Sequence, residues 1–257
     1  MNRLTTTELA VHEWGSGSPV LLVHGSLATA PEEWPAQLPL ADEGYHLIAP
    51  DRRGYGDSSA AVGEDYLVDA DDLVPLLEET HGDGGVHLVG HSYGGLSAMV
   101  VAARHPDSVR SLALLEPPAF VATRNQPAAK ALEDRIRFMW DDDDPDSEWL
   151  LRFLEVIGTD RDDLPPGLVD QIVDMVPVMR NGRPDWDDEL PIAELAAAPF
   201  PILVASGGHS GGFEAMSDEL ATQLGASRVV AEGAGHEIQL TGEPINQLLA
   251  DFWRSAR

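Results

Sequence analysis

Cysteine is missing from all 257 residues, and lysine occurs once, at Lys130. Without a thiol there is no disulfide, no thiolate metal ligand and no cysteine nucleophile, a composition that fits a cytoplasmic protein. With its one lysine outside any G-K-[ST] context, the chain lacks a Walker-type phosphate loop, and Schiff-base chemistry would fall to Lys130 alone. Basic residues are scarce altogether: 16 Lys+Arg stand against 44 Asp+Glu, a formal net charge of −28. Such a surplus repels phosphate backbones and anionic lipid, so neither nucleic acid nor a membrane is an expected partner. Long apolar runs are also lacking. No stretch of roughly 18 apolar residues occurs, and residues 1–8 carry no apolar segment of signal-peptide type. The G-x-G-x-x-G of a dinucleotide fold is absent. His12-Glu13 lacks the second histidine of H-E-x-x-H, and the run Asp141-Asp142-Asp143-Asp144 lacks the spacing and glycine turn of a calcium loop. Neither a cofactor nor a metal is expected.

What is present alternates. Short apolar runs of buried-strand type occupy residues 20–23, 46–49, 86–89, 111–115 and 202–205, with further strand candidates at 9–14 and 228–231. Between them, Tyr66, Ala70, Leu73, Val74 and Leu77 recur at helical spacing, as do Leu96, Met99, Val100 and Ala103. Pro106 ends the second helix, and Pro75 is placed to bend the first. The alternation predicts a mostly parallel sheet with helices on both faces. Residues 117–198 break the rhythm, with helical stretches at 130–140, 148–157 and 168–179 and no strand-length run among them. They read as a helical lid inserted into a core domain of residues 1–116 and 199–257.

Four segments concentrate the chemistry. Gly90-His91-Ser92-Tyr93-Gly94 joins a strand to a helix, a turn that holds a serine hydroxyl out where it can attack. The Tyr93 amide, at the helix start, is placed to donate to an oxyanion. Val23-His24-Gly25-Ser26 ends another strand, where the Ser26 amide is the matching donor. Asp51-Arg52-Arg53-Gly54-Tyr55-Gly56-Asp57-Ser58 follows the next and shapes a turn. Gly233-Ala234-Gly235-His236 follows the last. A second G-x-S-x-G stands at Gly208-His209-Ser210-Gly211-Gly212.

In this order the motifs resemble the α/β-hydrolase fold family over the whole chain. The resemblance implies an eight-stranded, mostly parallel sheet with a helical lid, a serine nucleophile and a late histidine. Chain order selects Ser92: only 25 residues separate Ser210 from His236, which puts Ser210 where the family ordinarily carries its acid. That position therefore holds no carboxylate. Some members of the family carry the acid after an earlier strand, and here Glu116 ends the run 111–115, ahead of Pro117-Pro118. Glu116 is the expected acid, with Glu214 and Asp218 in reserve. His24 and His91 are assigned orienting or packing roles, and His209 no role. Trp34, Trp140, Trp149, Phe153, Met175 and Met179 line a pocket or fill the lid's core. The implied activity is hydrolysis of a small, largely apolar ester through an acyl-enzyme on Ser92. Lactonase, carbon–carbon bond hydrolase, acyltransferase and perhydrolase activities use the same groups, and a non-catalytic small-ligand-binding protein uses the same scaffold. A small acyl compound is the expected partner, with self-association left open.

Overall fold

The structure, a computed structural model, describes residues 9–82 and 84–256. The amino-terminal segment 1–8, read above for a signal sequence, lies outside the described residues. Seven strands form one sheet: β1 (Val11–Gly15), β2 (Ser18–Val23), β3 (Tyr45–Pro50), β4 (Val86–His91), β5 (Val109–Leu115), β6 (Ile202–Ser206) and β7 (Ser227–Val230). Their order is β1-β3-β2-β4-β5-β6-β7, and every pairing is parallel except β1 with β3. The five apolar runs and the two further strand candidates of the sequence supply all seven strands. The eighth strand implied by the family resemblance has no counterpart among the described residues, since no further apolar run is present to form it.

Both faces of the sheet are buried, which is why its strands read as unbroken apolar runs instead of alternating ones. Side chains still alternate between faces with period two. Leu21, Val23, Ile48, Leu88, Leu112 and Leu114 face the helices Tyr66–Thr80, Ser92–Arg104 and Gly211–Leu224. Val20, Leu22, Ala49, Val89, Ala113 and Leu115 face Trp34 and the carboxyl-terminal helix Ile245–Ser255. Each fully buried aliphatic side chain contributes about 1.5–3 kcal/mol by leaving water.

Helices fill the connection from β5 to β6, as the broken rhythm predicts. Pro127–Trp140 and Asp146–Ile157 form as single helices. The expected helix over 168–179 is divided into Leu168–Ile172, a 3-10 turn and Val176–Arg180. Pro177 lacks the amide that a continuous helix would use, so a new helix begins around it. By contrast, Tyr66–Thr80 runs unbroken through Pro75. The insertion has an apolar core of its own, in which Met139, Trp149, Leu150, Val176 and Met179 pack with Leu27 from the loop after β2.

Candidate active site

The loops after β2, β4, β5, β6 and β7 meet at the carboxyl ends of the strands. β4 ends at His91 and the helix Ser92–Arg104 begins at once, forcing Ser92 to a φ of 47°, in the left-handed region that side chains rarely adopt. The flanking glycines are there for clearance. A Cβ on Gly90 would lie 2.6 Å from the Gly94 carbonyl oxygen, and one on Gly94 would lie 2.3 Å from that of His24. The loop after β2 is equally close: a Cβ on Gly25 would stand 3.0 Å from that of Ser92. Larger residues at these positions would push the two loops apart.

Ser92 Oγ lies 3.0 Å from His236 Nε2, and His236 Nδ1 lies 3.3 Å from Glu116 Oε2. Glu116 follows β5 at a φ of 51° and is fully buried, its Oε1 accepting from the Gly207 amide at 2.5 Å. The sequence places these three residues in separate loops, and the fold joins them in one hydrogen-bonded chain. The reserve carboxylates are engaged elsewhere, Glu214 with Arg228 at 2.5 Å and Asp218 with the same guanidinium at 2.8 Å. Ser210 precedes the helix Gly211–Leu224, whereas the His236 ring bonds Ser92 and Glu116. Burial, reinforced by a positive His91, pushes His236 down to about 3, so its ring is neutral. Burial lifts Glu116 to about 7, against the opposing pull of His209 and the Gly207 amide.

Several side chains without a motif of their own hold this arrangement. Burial disfavours charge on His91, but the Glu33 and Glu237 carboxylates outweigh it and raise the ring to about 9. The imidazolium donates from Nδ1 to Glu33 Oε1 at 2.5 Å and from Nε2 to the His236 carbonyl at 3.0 Å. Glu33 also accepts from the Gly25 amide at 3.1 Å. One ion pair thus ties the loop after β2, the end of β4 and the backbone of His236. Arg52, fully buried, donates to the His24 and Gly25 carbonyls, each at 2.9 Å, and is balanced by Glu64 and Asp69. The Ser26 hydroxyl donates to Glu64 at 2.8 Å. The Tyr93 amide belongs to the first turn of its helix, where no intrahelical acceptor exists.

A cavity of about 530 Å³ adjoins Ser92, Tyr93, Ser26 and His236. Among the aromatic and methionine residues singled out in the sequence, Trp140, Phe153 and Met179 line it. Trp149 and Met175 belong to the core of the insertion, and Trp34 to the sheet's. His24, with Nδ1 on the Gly25 carbonyl and Nε2 accepting from the Arg52 amide, has an orienting role. Sequence reasoning missed Glu33, Arg52 and His209. The last has a signal in retrospect: it sits in the glycine-rich turn where the family's acid is expected, and its Nδ1 lies 3.8 Å from Glu116 Oε1. Among the described residues, two trios of side chains bring potential metal-ligating atoms within 4.8 Å of one another, His91/His236/Glu237 and Glu116/His209/His236. In the first, both ring nitrogens of His91 are engaged.

Known proteins share this architecture. The chain is 30% identical to a 2-hydroxymuconate semialdehyde hydrolase from Pseudomonas sp. (strain CF600), over 77% of its own length and 72% of the relative's. It is 36% identical to a bifunctional esterase/perhydrolase from Acinetobacter calcoaceticus, over 45% of its length and 44% of the relative's, so that match spans less than half of either protein. Among solved structures, a thermophilic esterase from Thermogutta terrifontis superposes with a TM-score of 0.70 at 26% identity, covering 96% of this chain and 93% of that one. Residues 18–243 match the profile of the family described as alpha/beta hydrolase fold. The chain belongs to the α/β-hydrolase fold family and is a hydrolase of that fold.

Proposed function

We propose that the chain is a serine hydrolase of small, largely apolar carboxylic esters whose chemistry is carried by its own side chains. The observation that carries the proposal is the hydrogen-bonded chain from Ser92 through His236 to Glu116, at a cavity walled by Leu27, Trp140, Phe153, Ile172 and Phe213. Ser92 Oγ attacks the ester carbonyl as the neutral His236 Nε2 takes its proton. Glu116 accepts from Nδ1–H, fixing the tautomer, and its charge stabilises the imidazolium that forms. The Tyr93 and Ser26 amides receive the developing oxyanion, each worth on the order of 3 kcal/mol of barrier. His236 returns the proton to the leaving alcohol. It then activates the water that releases the acid from Ser92. The helices between β5 and β6 act as the lid over this cavity, and a cytoplasmic location fits the cysteine-free composition.

Turnover of short-chain 4-nitrophenyl esters tests the assignment of the nucleophile. Ser92→Ala is expected to abolish it and Ser210→Ala to leave it intact, and the reverse pattern overturns the proposal. Carbon–carbon bond hydrolysis is the second reading, favoured by the relative that bears the name 2-hydroxymuconate semialdehyde hydrolase. It uses the same three residues, and direct comparison of 2-hydroxymuconate semialdehyde with 4-nitrophenyl butyrate separates the two.

A further inference from the structure

Two imidazoles face the Glu116 carboxylate, and the proposed proton relay uses one of them. The other belongs to His209, in the turn between β6 and the helix Gly211–Leu224. Its Nε2 lies 3.0 Å from the Ile157 carbonyl at the end of a helix of the insertion, and a carbonyl oxygen only accepts. Nε2 is therefore the donor to that carbonyl, and Nδ1 is the ring atom turned toward Glu116 Oε1, 3.8 Å away. That nitrogen is buried without a hydrogen-bond partner, in a side chain only 10% exposed. The 3.8 Å separation is too long for a hydrogen bond and leaves room for a cation between the nitrogen and the carboxylate. The third neighbour is His236, whose Nδ1 lies 3.3 Å from Glu116 Oε2. Two imidazole nitrogens and a carboxylate are a donor set of zinc, and tetrahedral bonds of about 2.1 Å place ligand atoms roughly 3.4 Å apart. All three potential ligating atoms lie within 4.8 Å of one another.

We propose that Glu116, His209 and His236 form an inhibitory site for a divalent transition-metal ion of the zinc type. An ion held by His209 Nδ1, Glu116 and His236 Nδ1 displaces the proton on the last of these, which passes to Nε2 of the same ring. The ring stays neutral, but Nε2 changes from acceptor to donor toward Ser92 Oγ and no longer takes the serine proton. Magnesium and calcium, which favour six or more oxygen ligands, find one carboxylate here and do not compete. The effect on turnover rests on the proposed hydrolase mechanism, whereas binding of the ion does not.

The test is calorimetric titration of the whole chain with Zn²⁺ in excess magnesium, which occupies exposed carboxylates, beside turnover of 4-nitrophenyl butyrate. The expected result is one Zn²⁺ per chain, with turnover lost at the same midpoint and restored by a chelator. His209→Gln and His209→Asn are expected to bind Zn²⁺ at least about tenfold more weakly while still hydrolysing the ester. Absence of stoichiometric binding overturns the proposal, as does unchanged affinity in both variants. A wild-type chain that binds Zn²⁺ as described but turns over no ester counts against the hydrolase reading alone. If circular dichroism shows the variants unfolded, Co²⁺ on the wild-type chain decides: intense visible bands of a four-coordinate site are expected, and the weak bands of an octahedral one overturn the proposal.

Discussion

Glu116 carries the costs of its position. It is fully buried, at a φ of 51°, and is lifted to about 7 by removal from water. The proposed mechanism needs it ionised, so kcat/KM is predicted to fall as pH drops through about 7, a limb that His236, held near 3, does not set. The sign for stability is the opposite. An acid whose folded pKa exceeds its unfolded value of 4.5 favours the fold when protonated, so that contribution declines as pH rises from 4.5 toward 7. Glu116→Gln is predicted to lower kcat by about 10⁴-fold, because an amide holds the wrong tautomer of His236. The same variant should be more stable than wild type above pH 7, by at most about 3 kcal/mol, and indistinguishable below 4.5. Paired melting curves across pH check the second half. Ser92, His236 and Glu116 were legible in the sequence because each directly follows a strand or sits in a strand-following loop with a motif around it. His209 was not, because its meaning lies in two distances, to Glu116 and to Ile157, that no local pattern encodes.

Loops are positioned relative to one another by buried charge. Glu33, His91 and the His236 carbonyl join three segments, and both side chains of the ion pair are almost wholly buried. His91 titrates near 9 in the fold against 6.5 unfolded, so the pair's contribution is complete below pH 6.5 and is lost as pH rises through 9. Glu33→Gln is predicted to cost about 3 kcal/mol at pH 6 and progressively less toward pH 9. Denaturant unfolding at several pH values measures this, and an equal loss at all of them contradicts it. The strands were readable from their apolar runs. The eighth was expected by resemblance alone, and the described residues contain seven. The helix expected over 168–179 is divided where Pro177 removes an amide, although Pro75 is accommodated within its own helix. Periodicity shows which face of a segment is apolar, but tertiary packing decides whether a proline ends the helix.

Over the whole molecule, the dominant quantity is a net charge of −28. Among the described residues no helix is long and apolar enough to cross a membrane. Like charges at this density repel one another in the compact state, and salt screens them over about 10 Å at 0.1 M. The melting temperature is predicted to rise with sodium chloride by more than that of a near-neutral control protein, and an equal response in the two contradicts the argument. The fold places five loops at one edge of the sheet and a helical insertion with its own core beside them. Ser92 lines the cavity between them, and the proposed function has a substrate reach its hydroxyl there. Labelling the native chain with a fluorophosphonate and locating the adduct by mass spectrometry tests that claim most directly. The account predicts one adduct, on Ser92; an adduct on Ser210, or none on the folded protein, contradicts it.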